Sequence, residues 1–128
     1  MADVERILVV GGGIAGLTLA TALHQQGFPT ELVERNRTWD AVGAGFLVQA
    51  NGMRILHALD LGAAIERLAT VVRRWGFCDE QGELLSETDL EALWSDAGPC
   101  IGIERTKLQH VLLTGAAAVP CRLGTSIT

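Results

Sequence analysis

The chain has 128 residues, of which 48% are hydrophobic and 20% are charged, and its formal net charge at pH 7 is −5. We expect one soluble globular domain, because this length and hydrophobic content allow a substantial core. The sequence has no cluster of basic residues, so we do not expect it to bind nucleic acid. No apolar run has the length of a membrane span, and the charged N-terminal residues do not resemble a signal peptide.

The cysteines and histidines predict no metal site. An odd number of widely spaced cysteines, without a secretion signal, is typical of reduced thiols in the cytoplasm. The histidines also lack the spacing of metal ligands, and no Ser/His/Asp, Cys/His or paired-carboxylate set is evident, so no catalytic residue is assigned. The cysteines are Cys78, Cys100 and Cys121, and the histidines are His24, His57 and His110.

The first part of the chain predicts a β-α-β unit. Residues 7–10 are a short apolar run, as in a buried parallel strand. A helix is predicted over residues 14–26, and Gly27 is a suitable C-cap. Residues 30–33 then read as a second strand that ends at Glu34.

The turn between the first strand and the helix contains Gly-x-Gly-x-x-Gly at Gly11, Gly13 and Gly16. The first glycine permits the tight turn, the second lets a pyrophosphate approach the backbone, and the third allows close packing of the helix. The free N–H groups of the helix N-terminus favour phosphate. Glu34 follows at about the 20-residue spacing of the acid that binds ribose hydroxyls. The alternative is a degenerate unit without a ligand, in which Glu34 is an ordinary solvated acid.

The middle of the chain predicts helices followed by a β-hairpin. Residues 35–42 form a polar loop, and residues 46–49 form an extended segment. Asn51 is predicted to cap a helix, and a second short helix is predicted over residues 63–69. The apolar face of the first of these helices contains Met53, Leu56, Leu59 and Leu61.

The hairpin is predicted from a strand over residues 71–78, a turn over 79–82 and a return strand over 83–86. We expect it to belong to another sheet. Thr88 begins a capping box that predicts a short helical turn, and residues 100–104 read as a further strand.

The last segment predicts a helix that follows Arg105. Thr106 begins a second capping box with Gln109. From its place before this helix, Arg105 can reach a bound phosphate, or it can pair at the surface with Glu104 or Asp60. A final strand is predicted over residues 121–128, without a following turn or helix, so we expect an incomplete domain.

Three blocks of the chain resemble the N-terminal part of the class A flavoprotein monooxygenases, the p-hydroxybenzoate hydroxylase-like aromatic hydroxylases. They are residues 7–35, the Gly-Ala-Gly-Phe-Leu-Val-Gln-Ala-Asn-Gly segment over 43–52, and Ile-Glu-Arg-Thr-Lys-Leu over 103–108. The first block is shared with many dinucleotide enzymes, whereas the other two are more specific. Gln49-Ala50 stands where the family usually has a proline, and the family's Asp-Gly and Gly-Asp motifs are absent from these residues.

The resemblance implies an α/β fold, with a Rossmann-like FAD-binding βαβ unit and an inserted hairpin from the sheet of a substrate domain. The FAD-binding domain would comprise residues 1–70 and 101–128, and residues 71–100 would start the substrate-domain sheet. Because the later motifs are missing, the chain would be only part of the enzyme and would not by itself be competent for turnover.

The resemblance also implies FAD as the cofactor and NAD(P)H as its reductant. With O2, the longer parent enzyme would hydroxylate an aromatic or related small molecule. Glu34 would bind the adenosine ribose, and Arg105 would lie near the flavin-side phosphate or the ribityl chain. The residues expected to contact the cofactor are Gly11, Gly13, Ile14, Ala15, Gly16, Glu34, Arg35, Gly45 and Arg105.

Two alternatives remain at the level of the sequence. One is an NAD(P)-binding Rossmann oxidoreductase, in which Arg35 tolerates a 2′-phosphate, although Glu34 argues against it. Such a domain would continue with further βα units, and this sequence does not. The other is a non-catalytic truncated module that folds without a ligand. Its unpaired strand edges, or the hairpin over residues 71–86, would allow a homodimer.

Overall fold

The computed structural model describes residues 4–39 and 43–128, so the end of the predicted loop over residues 35–42 lies outside the described residues. The chain divides into two compact units, Met1–Gly43 with Arg105–Thr128, and Ala44–Glu104. Within the described ranges, no helix is both long enough and apolar enough to cross a lipid bilayer. The elements in chain order are β1 (Ile7–Val10), α1 (Ile14–Gln25), β2 (Thr30–Val33), β3 (Gly45–Val48), α2 (Ala50–Ala58), α3 (Gly62–Leu68), β4 (Thr70–Val71), β5 (Arg74–Cys78), β6 (Leu84–Asp89), α4 (Leu90–Leu93), β7 (Ile101–Glu104), α5 (Arg105–Gly115) and β8 (Cys121–Arg122).

The first unit contains a parallel sheet in the order β1-β2-β8. Helix α1 packs against β1, β2 and α5, and its predicted C-terminal glycine, Gly27, has φ 81°, a value that favours glycine. The predictions for β1, α1 and β2 are confirmed to within one residue. The apolar core of this unit includes Val9, Leu17, Leu32, Leu108 and Leu112, all buried.

The second unit contains an antiparallel sheet in which β3 and β4 flank β7. Helix α3 packs against α2 and β7. Met53 and Leu56 of the predicted apolar face lie on α2 and are buried, whereas Leu59 and Leu61 are buried beyond its end at Ala58. Ile65 and Ile101 are fully buried in the same unit. A smaller cluster of Ala50, Leu90 and Cys100 packs against Val72, Trp94 and Ala97.

The predicted hairpin is confirmed as β5 and β6, which form a two-stranded sheet of their own. Asp79 N donates to Glu83 O at 2.9 Å, and Gly82 has φ 86° in the turn. The strand β5 is exposed along its whole length, and the rings of Trp75 and Phe77 stack with centroids 5.8 Å apart. This sheet therefore presents aromatic side chains to solvent.

Three predicted strands are wrong in extent. The return strand predicted over residues 83–86 is β6, which continues to Asp89. Residues 71–78 are not one strand, because Val72 N donates to Cys100 O whereas Arg73 O accepts from Leu90 N. The backbone thus changes partners between these two residues, and the strand divides into β4 and β5. The last strand comprises only β8, because Gly124 adopts φ 62° and ends the extended backbone.

The three predicted N-caps, Asn51, Thr88 and Thr106, are also wrong. Helix α2 begins at Ala50, with Gln49 as its N-cap, so Asn51 is already inside the helix. The Asn51 side chain accepts a hydrogen bond from Gly52 N. Thr88 lies within β6. The cap of α4 is Asp89, whose carboxylate accepts from the N–H of the third helical residue, Ala92, at 3.0 Å. Helix α5 begins at Arg105, so Thr106 is already inside its first turn.

Candidate dinucleotide-binding site

The glycine turn joins β1 to α1 in the first unit. Gly11 N donates to Val33 O at 2.8 Å, which ties the turn to β2, and Gly11 has φ 97°. A Cβ at Gly16 would lie 1.8 Å from Gly11 O. No side chain fits in that space, so α1 lies directly against the turn backbone. Gly11 and Gly16 therefore have the structural roles that the fingerprint predicts.

Gly13 is the N-cap residue of α1 and leaves the helix N-terminus open. Its backbone is extended, no side chain caps the helix, and the first turn carries no acid. A Cβ at Gly13 would meet nothing within 4 Å. The first N–H groups of a helix have no acceptor within it, and their partial positive charge attracts an anion. The first turn, including Ile14 and Ala15, thus has the geometry and charge to accept a phosphate.

Glu34 follows β2 and holds the sheet and the turn together. Its Oε2 accepts from Gly12 N at 2.7 Å, and its Oε1 accepts from Asn36 N at 2.8 Å. Its own N–H donates to Arg122 O, and its carbonyl accepts from Thr125 N. The residue is only 9% exposed, so it is not the solvated surface acid of the alternative interpretation.

The charge of Glu34 follows from these contacts. The N–H groups of Asn36 and Gly12 hold the pKa of the carboxyl below its ordinary value of 4.5, against the effect of burial, and the Arg35 cation contributes in the same direction. The side chain is therefore ionised at neutral pH. A carboxylate only accepts hydrogen bonds, and each oxygen has room for a second donor. Glu34 can therefore bind hydroxyl groups while it keeps both backbone partners.

Cys121, at the start of β8, lies close enough to be affected by this charge. Burial, together with the negative charge of Glu34, raises the pKa of its thiol. A thiol with a raised pKa is a poor nucleophile at neutral pH. The raised pKa therefore favours the protonated thiol of Cys121 at neutral pH.

A depression at the carboxyl ends of β1 and β2 contains Glu34. It has a volume of about 260 Å³ and is lined by Val10, Gly11, Val33, Glu34, Arg35, Thr125, Ser126 and Ile127. Open α/β sheets bind ligands at the carboxyl ends of their strands. A larger cavity of about 450 Å³ lies at the opposite ends of the same strands, around Arg6, Phe28 and Glu31. Its position is unsuitable for a ligand of the glycine turn.

The structure brings all the predicted cofactor residues except Gly45 into the first unit. Arg35 directly follows Glu34 and is exposed. Arg105 is the exposed first residue of α5, and its Cδ lies 3.6 Å from the position of a Cβ on Gly43. Gly45 belongs to the second unit, where it begins β3 opposite Glu104.

Two residues of the site were missed from the sequence. Gly12 stands at a position where the fingerprint accepts any residue, yet its N–H binds Glu34. A Cβ on Gly12 would lie 2.5 Å from the ring of Trp39, so that ring rests against the turn. The one available signal was that glycine occupies all three positions from Gly11 to Gly13, although the fingerprint requires it only at the first and the third. Nothing local to the loop indicated the placement of Trp39.

Comparison with known proteins decides the family. The profile of the FAD binding domain family matches residues 4–126, nearly the whole chain. The chain belongs to the FAD-binding domain family of the flavin-dependent monooxygenases. Membership supplies the cofactor class that the geometry leaves open, because an open helix N-terminus and a ribose acid suit NAD as well as FAD.

Several proteins of this flavoprotein family are similar to the chain. A 3-amino-4-hydroxybenzoate 2-monooxygenase of Streptomyces platensis is 41% identical over 115 residues, which cover 84% of this chain and 28% of that protein. The tetrameric form of 2-methyl-3-hydroxypyridine-5-carboxylic acid oxygenase superposes with a TM-score of 0.82 at 26% identity, over 96% of this chain and 32% of that one. A variant of HpxO from Klebsiella pneumoniae, solved in complex with FAD, superposes with a TM-score of 0.77 at 28% identity. The match covers 94% of this chain and 31% of that one. The chain thus spans about a third or less of each of these proteins.

Proposed function

We propose that the chain is the FAD-binding portion of a longer flavin-dependent monooxygenase, which uses NAD(P)H and O2 to hydroxylate an aromatic or related small molecule. The observation that carries this proposal is the buried, ionised Glu34 held by Gly12 N beside an uncapped helix N-terminus. The similar Streptomyces enzyme, named for an aminohydroxybenzoate, supports an aromatic substrate. When bound, the flavin supplies the redox and oxygen-transfer chemistry, and the protein supplies its binding and orientation.

The residues of the first unit fit the adenosine diphosphate part of FAD. Gly13 leaves space above the backbone, so the N–H groups of Gly13, Ile14 and Ala15 can receive the pyrophosphate. Glu34 then accepts the ribose hydroxyls with the lone pairs that Gly12 and Asn36 leave unused. The negative charge of Glu34 also disfavours a 2′-phosphate at the same place, which argues against an NADP site.

Two basic residues would complete the site. Arg35 follows Glu34 in the lining of the depression, where its cation can approach the diphosphate. Arg105 begins α5 beside Gly43, and we assign it to the flavin-side phosphate or ribityl chain. Gly45, at the start of β3, is assigned to the same cofactor. Arginine contacts to phosphate are strong because they are charge-assisted and often bidentate.

We further propose that β1, α1 and β2 form a Rossmann-like unit, and that the hairpin begins the sheet of a substrate domain. The FAD-binding domain then comprises residues 1–70 and 101–128, with residues 71–100 inserted. The separate two-stranded sheet of β5 and β6 supports an inserted segment. The compact unit that contains this sheet is wider than the proposed insertion, because it comprises Ala44–Glu104. The exposed aromatic pair of this sheet also supports a homodimer formed through the hairpin, and the free cysteines support a location in the cytoplasm.

The decisive experiment is cofactor reconstitution. The chain, and the product of any longer reading frame that contains it, should be titrated with FAD and separately with NADH and NADPH. The proposal expects a yellow protein with micromolar or tighter affinity for FAD, and hydroxylation only by the longer form. Tight binding of a nicotinamide nucleotide without flavin would instead favour the NAD(P)-binding alternative. Failure of the longer form to retain any nucleotide would favour a non-catalytic module.

A further inference from the structure

The Trp39 ring covers the side of Gly12 on which any other residue would carry a side chain. A Cβ on Gly12 would lie 2.5 Å from Cζ3 and 2.6 Å from Cη2 of Trp39, and 3.3 Å from Oε2 of Glu34. The indole and the Glu34 carboxylate are therefore neighbours on the same side of the turn. Trp39 is half-buried, so it also shields this side of the turn from solvent.

Trp39 also lies beside apolar side chains of the first unit. It lines a cavity of about 250 Å³ together with apolar residues of α1, β2 and α5, among them Leu17, Leu32 and Leu113. The side chains that line this cavity with Trp39 are apolar. A hydrogen bond next to such a surface competes less with water and is electrostatically stronger. The bond from Gly12 N to Glu34, 2.7 Å long and buried, is the one placed to benefit.

The loop after β2 also contributes the second partner of the carboxylate. Asn36 N donates to Oε1 of Glu34, and Trp39 follows three residues later on the same loop. The same loop therefore supplies the donor to Oε1 and places the Trp39 ring against Gly12, whose N–H is the donor to Oε2.

We propose that Trp39 is a positioning residue of the cofactor site, which keeps the Gly12 N–H on Oε2 of Glu34 and so orients the carboxylate for the ribose hydroxyls. The inference rests on the proposed role of Glu34 toward FAD. Trp39 itself acts through Gly12 and Glu34. It also explains why this chain has glycine at a position that the dinucleotide fingerprint leaves open.

The test is a set of variants of the full chain, measured with and without FAD. Trp39→Ala should weaken FAD by about tenfold, the size of one lost hydrogen bond, whereas Trp39→Phe should retain most of the affinity. In the cofactor-free protein, a carbon-13 titration should show the pKa of Glu34 rising toward its ordinary value in Trp39→Ala and unchanged in Trp39→Phe. Trp75→Ala, which removes an indole from the hairpin, is the matched control and should change neither property.

A double-mutant cycle tests the steric part of the inference. Gly12→Ala should weaken FAD strongly when Trp39 is present and much less in the Trp39→Ala background, a coupling of at least about threefold. Additive effects would overturn the inference, as would a Trp39→Ala protein whose Glu34 titration and FAD affinity are those of the wild type. If Trp39→Ala does not fold, Trp39→Leu takes its place in every comparison.

Glu34→Gln separates this inference from the proposed function. If Glu34→Gln leaves the FAD affinity unchanged, the ribose role of Glu34 is wrong, whatever Trp39 does. If Glu34→Gln weakens FAD but Trp39→Ala changes neither the titration nor the affinity, only the positioning role fails.

Discussion

Gly12 and Glu34 are 22 positions apart in the sequence, and a buried hydrogen bond of 2.7 Å joins the backbone N–H of one to Oε2 of the other. This contact connects the turn after β1 to the end of β2. The acid that the fingerprint assigns to ribose therefore also supports the turn that would hold the diphosphate. Variants of Glu34 should consequently change both the folding stability and the cofactor affinity.

The first prediction concerns pH. The pKa of Glu34 is lower in the folded chain than its ordinary value of 4.5, so ionised Glu34 stabilises the fold. This contribution is fully present above the unfolded pKa and is lost as the pH falls through the lower, folded pKa. Glu34→Gln should reduce the free energy of unfolding by about 1–3 kcal/mol at neutral pH, because a buried N–H loses its charged acceptor. The difference in the free energy of unfolding between the wild type and Glu34→Gln should become smaller below pH 4.5.

Urea denaturation across this pH range measures the difference. Glu80→Gln, which removes an exposed carboxylate at the tip of the hairpin, is the control for the loss of one negative charge. A Glu34→Gln deficit that stays constant from neutral to acidic pH would show that ionisation of Glu34 does not contribute to the stability.

The second prediction separates two glycines of the fingerprint. Gly13→Val should cost at most about 1 kcal/mol of stability, the usual range for an N-cap substitution, because its Cβ meets nothing within 4 Å. It should nevertheless abolish FAD binding by filling the space of the pyrophosphate. Gly16→Ala should instead destabilise the fold by about 3 kcal/mol or more, because its Cβ would overlap Gly11 O.

Denaturation curves and FAD titrations of both variants provide the measurement, and each variant serves as the control for the other. Retention of wild-type FAD affinity by Gly13→Val would remove the diphosphate from the glycine turn. A stable Gly16→Ala protein would contradict the close contact between α1 and the turn.

The third prediction concerns Arg105. Arg105→Ala should weaken FAD by about 1.5–3 kcal/mol, the usual size of a charge-assisted contact to phosphate. Because Arg105 is exposed, the thermal midpoint should change little. Calorimetric titration with FAD measures the affinity, and Arg67→Ala, which removes an exposed arginine of α3, is the control for net charge. Equal affinities of the two variants would identify Arg105 as an ordinary surface residue.

The fourth prediction concerns self-association. Trp75 and Phe77 stack on the exposed hairpin, and replacing both with threonine keeps the β propensity while removing apolar surface. If the hairpin forms a dimer contact, the double variant should elute later from a sizing column than the wild type at the same concentration. Ile55→Ser, at an exposed apolar position of α2, is the control. A wild-type chain that remains monomeric at high concentration would rule out the homodimer.

Local signals explain how much could be predicted. Short apolar runs, glycine positions and the hairpin turn identified β1, α1, β2, β3, α2 and the β5–β6 pair, because each depends on residues close together in the chain. The same signals placed Gly11, Gly13, Gly16 and Glu34 in one site. Family resemblance then supplied the cofactor, since a glycine turn with an acid is common to several dinucleotide proteins.

The errors occurred where distant residues decide the outcome. Thr88 does not cap α4 because it pairs with Trp75 in the β5–β6 sheet, so the next residue, Asp89, provides the cap. The predicted strand over residues 71–78 divides at Val72 because its neighbours in space are Cys100 and Leu90, and neither is visible to a local pattern.

The sequence by itself determined the β-α-β element and the residue types that a dinucleotide needs, since hydrophobic periodicity and glycine conformation are properties of short segments. Only the tertiary structure placed Gly12 N–H on the Glu34 carboxylate and the Trp39 ring against the same glycine. The reason is physical: a hydrogen bond or a contact between residues separated by a strand and a helix exists only once the sheet has formed.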